Sequence, residues 1–436
     1  MNTPDEGGTR RSHERQKTAA TPVDGLRNRG RSLRQMHELP PLLKLLAGTQ
    51  LAFNVGFYAV LPYLAAHLGD GGLGMAGWLV GLVLGLRTFS QQGLFVVGGA
   101  LTDRFGPRPV VLAGCVLRIA GFVWLGYAGS TAGVVGAVVV VGFAAALFSP
   151  AVESETARQA VRHEEATGRP RAGTLAVFSA AGQAGAFLGP LLGSLLLLAD
   201  FRTACWAGVA VFVAVLAGHW RLLPGGRPVR PPRGGEPAGA WQELLGNGRF
   251  LLLCLAYGSY LLGYNQFYLA LPQEVVRATG SQSALGWLFA LSSLLVVTAQ
   301  LPVTRAAGAR LGQRTALLAG LGLVACGFGC VAAAAPLGLT GAPGLLPAAA
   351  YVMLLTLGQM LVVPAARSLV TELVPEHRLG LGMGVLSSVS GLLVLAGSSA
   401  TGALLGGPLP YGAAWAVLAV LPLLGAAAGA AVRVRR

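Results

Sequence analysis

Charge is what this sequence has least of. Only 11% of its 436 residues are Asp, Glu, Lys or Arg, where a soluble domain carries about a quarter. The scarcity argues against a water-soluble globule. Acids are rarest inside the apolar runs: no run has a carboxylate near its middle, and Asp103, Glu153, Glu155, Glu274 and Glu372 fall at run ends. Cysteine is also sparse. Cys115, Cys205, Cys254, Cys326 and Cys330 are odd in number, lack metal-ligand spacing and sit in apolar runs, so they read as small packing residues. No nucleotide-binding loop, metal cluster or catalytic triad spacing is visible, which argues against an enzyme; no cofactor and no metal are expected. The alternating ten-residue pattern of a membrane β-barrel is missing as well.

What is present is long apolar runs. They lie at 42–66, 76–99, 110–127, 133–151, 174–199 and 202–223, then at 250–272, 284–304, 316–335, 345–370, 380–406 and 411–432. Most approach the roughly 20 residues that cross a hydrocarbon core of about 30 Å. Backbone in lipid must satisfy its own hydrogen bonds, so the runs are predicted to be helices. The chain is expected to be an all-α integral membrane protein with twelve transmembrane helices in two six-helix bundles, 41–223 and 250–432. Residues 1–40 are polar and basic, with no cleavable signal pattern, and read as a disordered cytoplasmic tail. Pro and Gly interrupt 224–249, which reads as the linker between bundles; 433–436 form the C-terminus.

The net charge of +15 does not point to nucleic acid, because the basic residues lie in short segments between apolar runs. With an even number of spans both tails share one side. That side carries about 28 of the 32 Arg and Lys residues, so the positive-inside rule makes it cytoplasmic, and a plasma or inner membrane is the expected location. Two arginines, Arg87 and Arg118, fall inside spans. A charge at that depth is costly and marks function by default. Two readings stay open: a structural arginine held by backbone carbonyls, or a residue facing the substrate cavity.

The halves repeat each other. GALTDRFGPRPVVLAG (99–114) aligns with RAAGARLGQRTALLAG (305–320), and FYAVLP (57–62) with FYLALP (267–272). A nearly constant offset implies parallel repeats about an axis along the membrane normal. In the loop after the second span, Gly99, Asp103, Arg104, Gly106 and Arg108 resemble the signature of the major facilitator superfamily. The fifth span carries Gly185, Gly189, Pro190 and Gly193, which resemble the antiporter motif of its exporters. Residues 85–109 and 258–272 are similar to the twelve-span drug–proton antiporters of its multidrug efflux branch.

The resemblance implies a major facilitator fold working by alternating access. In it Asp103 caps the eleventh helix, and a loop arginine pairs with an acid at the end of the fourth, Glu153 or Glu155, as a cytoplasmic latch. The first, fourth, seventh and tenth spans line the cavity. Its candidates are Asn54, Phe57 and Tyr58; Tyr257, Tyr260, Tyr264, Asn265 and Tyr268; Gln359; and Gln91, Gln92, Arg87 and Arg118 from neighbouring spans. The four tyrosines recur at helical spacing on one face, as cavity lining or as packing and interfacial aromatics. The implied function is export of small, partly apolar organic compounds with protons as coupling ion, by a monomer in the lipid bilayer. A facilitator or uptake carrier for a polar solute is the alternative, which the missing mid-span acid favours.

Overall fold

The computed structural model describes residues 39–69, 72–169, 171–196, 199–223, 244, 246–375 and 378–432, less the side chains of Asp103 and Ala172. Most of the basic tail, most of the linker and the last four residues therefore lie outside the described residues. Everything regular among them is helix. The spans are Pro41–Leu68, Gly77–Thr102, Pro107–Tyr127, Thr131–Thr167, Gly173–Leu196 and Phe201–Leu222, then Gly248–Thr279, Leu285–Arg310, Gln313–Leu337, Gly341–Leu373, Leu379–Leu405 and Tyr411–Ala431. Eleven are apolar and long enough to cross a membrane by composition alone. The seventh, Gly248–Thr279, is 32 residues long and carries the tyrosine stripe, Asn265 and Gln266, which dilute its hydropathy.

Local chemistry sets the ends. Ser130, Asp200 and Asn247 cap the fourth, sixth and seventh spans, accepting from Gly133 N (3.2 Å), Thr203 N (2.6 Å) and Phe250 N (3.3 Å), which satisfies amides the helix leaves free. The second span breaks at Gly93–Leu94 into Gly77–Gln92 and Phe95–Phe105. The turn into the third span runs through Gly106 at φ 85°, ψ 165°, a conformation open to glycine alone. Several helices outrun the apolar stretches that announce them. The fourth was expected at 133–151 and continues to Thr167, because its last turns leave the hydrocarbon and their polar side chains meet water.

The repeat read in sequence recurs in packing. In each half the first helix packs on the fifth and sixth, the third on the fourth and sixth, and the second on the fourth. The halves meet along three seams: the second span on the eleventh, the fifth on the eighth, and the first on the seventh. The first two seams exchange partners under the repeat. Along the 2–11 seam a Cβ placed on Gly77 or Gly81 would meet Gly402 O at 2.4 Å or Ser398 O at 2.0 Å, and one on Gly402 would meet Gly77 O at 2.0 Å. Glycine is required there for the backbones to approach. The outside of the bundle is apolar, with Leu195, Leu301, Leu346 and Leu424 exposed. Trp78, Tyr127, Trp206 and Trp287 are exposed at span ends on the face away from the start of the first span and the end of the twelfth, an aromatic belt at one interface. That face is called the opposite face below, and the one where the first span begins and the twelfth ends the tail face.

Candidate functional site

A cavity of about 530 Å³ lies between the halves, from mid-bundle toward the tail face. The first span contributes Gln50, Asn54 and Tyr58, the fourth Glu153 and Thr156, and the fifth Phe178, Ser179, Gly182, Gln183 and Ala186. From the other half come Tyr264 and Phe267, then Phe289, Ser292 and Ser293, and Gln359 of the tenth span. Its floor toward the opposite face is aromatic. Phe289 packs on Phe267 (4.3 Å between centroids), Tyr268 (5.7 Å) and Tyr58 (6.4 Å). Below it Gly286 of the eighth span abuts Pro190 and Ser194 of the fifth. Aromatic walls with a few amides and hydroxyls are what a bulky, partly apolar ligand needs.

The fifth span's glycines shape one wall. A Cβ on Gly185 would meet Leu51 O at 2.3 Å, one on Gly189 would meet Tyr58 Cβ at 2.7 Å, and one on Gly193 would meet Ala59 O at 2.4 Å. Gly182 faces Gln50 and Asn54. This face of the helix lies against the first span and positions its polar lining residues. Pro190, whose ring removes an amide from the helix, offers its carbonyl to Tyr63 Oη at 2.7 Å.

Of the cavity candidates read from sequence, Asn54, Tyr58, Tyr264 and Gln359 line this cavity. The others stand outside its lining, each for a packing reason. Tyr257, Tyr260 and Tyr268 stack along the seventh helix with Tyr264, at 5.6, 6.1 and 5.9 Å between successive centroids. Asn265 turns to the 2–11 seam, donating to Ser398 Oγ (2.7 Å) and accepting from Thr88 Oγ1 (3.0 Å). Gln91 accepts from Arg87, and Gln92 is half-buried beside it.

Arg87 lies over the Phe57 ring at 4.4 Å, and that ring packs on Tyr58 of the cavity wall at 5.0 Å between centroids, which sets Arg87 one layer behind the wall. Arg118 is set deeper. It donates to Val141 O at 2.6 Å, and its guanidinium is ringed by Phe53, Phe57, Phe122 and Phe212 at 5.1–5.5 Å. Its Nε and Nη2 have no partner. The two arginines thus share the Phe57 ring, and neither has a carboxylate contact. Cation–π attraction and one carbonyl hold Arg118, which places it in the core of the first half and away from the cavity.

The latch candidates are dispersed. Arg104 lies over the Phe105 ring at 5.3 Å, and Arg108 donates to Trp220 O at 2.9 Å, tying the loop to the end of the sixth span. Glu155 is held by Arg158 (3.0 Å) and Gln159 (2.7 Å) on its own helix. The expected pairing of a loop arginine with Glu153 or Glu155 is therefore not made in this structure. Gly99 has open space beside it, and the Asp103 side chain lies outside the described residues. Two features escaped the sequence reading: the glycine repeat Gly77, Gly81 and Gly85, legible as spacing by four, and the cavity-facing position of Glu153.

Family comparison matches residues 45–275 and 253–436 to the Major Facilitator Superfamily. An uncharacterized MFS-type transporter of Mycobacterium tuberculosis is 35% identical over 372 residues, 83% of this chain and 85% of the relative. The multidrug resistance protein MdtH of Aeromonas salmonicida is 32% identical over 358 residues, 79% and 85% of the two chains. Among solved structures, a peptide transporter POT in complex with sulfate aligns with TM-score 0.75 at 17% identity, over 90% of this chain and 94% of that one. A point mutant of the nucleoside transporter NupG aligns with TM-score 0.74 at 13% identity, over 90% and 99%.

Proposed function

We propose that this chain, which belongs to the Major Facilitator Superfamily, is a secondary active exporter of small, partly apolar organic compounds. As a member of that family it is a multi-pass membrane transporter and not an enzyme. The cavity carries the reading. It lies between the two halves, has an aromatic floor and amide walls, and reaches toward the tail face. The basic-residue asymmetry assigns that face to the cytoplasm, so a compound would enter from inside. Alternating access then needs the halves to rock about the 2–11 and 5–8 seams. The cytoplasmic latch through Asp103 and proton antiport belong to the same proposal, and the name of the MdtH relative supports the efflux direction.

The uptake or facilitator reading rests on one observation: the first span offers the cavity Gln50, Asn54 and Tyr58 and no acid. Cells expressing the chain, loaded with a fluorescent organic compound and then washed, separate the two. Export predicts faster loss of fluorescence on energisation than in cells carrying an empty vector. Energy-independent equilibration in both directions would select the facilitator.

A further inference from the structure

Among the described residues that line the cavity, Glu153 alone carries a charge. Its neighbours on the wall are aromatic, amide, hydroxyl or aliphatic, and its side chain is exposed to the cavity space. The opposite charge that acts on it through space comes from the other half, Arg367 of the tenth span. Arg367 is itself exposed. Glu153 and Arg367 belong to none of the contact ion pairs among the described residues, which join Glu155, Glu164 and Glu274 to arginines of their own neighbourhoods.

The two positions stand in matching local sequence on corresponding helices of the two halves. The fourth span reads Pro150-Ala151-Val152-Glu153-Ser154 and the tenth Pro364-Ala365-Ala366-Arg367-Ser368. Each charge stands three residues past a helix proline, so opposite charges occupy one place on two related helices, Glu153 on the cavity wall and Arg367 outside its lining. A carboxylate there, left without a contact partner, is available to a ligand. The aromatic floor supplies ring faces within the same cavity, and ring faces and a carboxylate attract the same sign of charge. The lining residues of the first, fifth and eighth spans add no opposing cation.

We infer that Glu153 receives the positively charged end of the transported compound, and that Arg367 competes for the same carboxylate. This rests on the transport reading above and gives it a ligand class: an organic cation with an aromatic or bulky apolar body. When the site is empty, Arg367 holds the negative charge of Glu153 in check. A bound cation takes over that role, and Arg367 is released to solvent.

The test is equilibrium binding of tetraphenylphosphonium to the purified full-length chain, with neutral triphenylphosphine oxide as the control ligand. Glu153→Gln is expected to weaken the cation about tenfold or more, the loss of one charge-assisted contact, and to leave the neutral compound unchanged. Glu153→Asp should keep part of the affinity, and Arg367→Gln should tighten the cation. Wild-type cation affinity in Glu153→Gln overturns the assignment. So does equal loss of both compounds, which makes the residue structural, and so does absence of cation binding to the wild type. Weaker cation binding in Arg367→Gln overturns the competition. Vesicle export separates this inference from the function: if Glu153 governs binding but nothing is exported, only the export reading falls.

Discussion

Replacing Gly185 by Ala adds one methyl group where the fifth span meets the first. The added Cβ would lie 2.3 Å from Leu51 O and 2.8 Å from Asn54 Cβ. Real Cβ contacts do not fall below 3.0 Å, so the helices must part by at least about 0.7 Å at Leu51. The obstacle is backbone and cannot rotate away. Overpacking of this kind costs about 1–3 kcal/mol. Alanine also gains about 0.5–1 kcal/mol of helix propensity over glycine. Gly173, on the same helix with nothing within 4 Å of its added Cβ, receives that gain without the clash. The difference between Gly185→Ala and Gly173→Ala therefore isolates the contact. Thermal unfolding of the purified proteins should place Gly185→Ala a few degrees below Gly173→Ala. Transport should fall in Gly185→Ala alone, because Asn54 moves with the first span. Equal melting temperatures and wild-type transport in Gly185→Ala would refute the claim that this glycine face sets the cavity wall.

Further expectations concern single charges. Asp103→Asn should reduce transport by an order of magnitude or more with normal membrane insertion; wild-type transport rates would deprive the signature loop of a role here. Arg118→Met replaces a buried guanidinium that has no carboxylate partner and stands away from the cavity, a change that is often neutral or stabilising; thermal stability and transport should both hold, and loss of transport at unchanged stability would give the guanidinium a part in the transport cycle. Asp200 is held below its ordinary 3.8 by the Thr203 hydroxyl and amide. A depressed carboxylate stabilises the fold above its unfolded pKa and loses that contribution as pH falls through the folded value. Asp200→Ala should therefore melt earlier than wild type at pH 7, and the gap should close on acidification through the range below 3.8; a gap independent of pH would refute the capping role. Cysteines introduced at 224–248 and after Val432 should resist an impermeant thiol reagent in intact cells, and labelling of either would reverse the orientation.

Span number and order were legible because hydropathy responds to the lipid environment that selects the residues. The internal repeat was legible because two short matches keep nearly one offset. Helix length was less so, since hydropathy marks where hydrocarbon ends and not where the helix does. Glu153 illustrates the cost. As the end of a span it reads as a latch residue; with the helix continuing to Thr167, it faces the cavity. Arg118 could be seen as a charge in lipid without an acid, but its surroundings could not be read. Phe53 and Phe57 come from the first span, Phe122 from its own and Phe212 from the sixth, and only folding gathers them. Asn265 shows the same limit. Helical spacing puts it beside the tyrosines, while Ser398 of the other seam partner decides where its amide points.

Transport in everted vesicles with an imposed pH gradient tests the central claim most directly. With the interior acid, vesicles carrying this chain should accumulate a lipophilic organic cation above its equilibrium level, and collapse of the gradient should release it. Accumulation that stops at equilibrium, with or without the gradient, would contradict a secondary active exporter and leave a facilitator on the same fold.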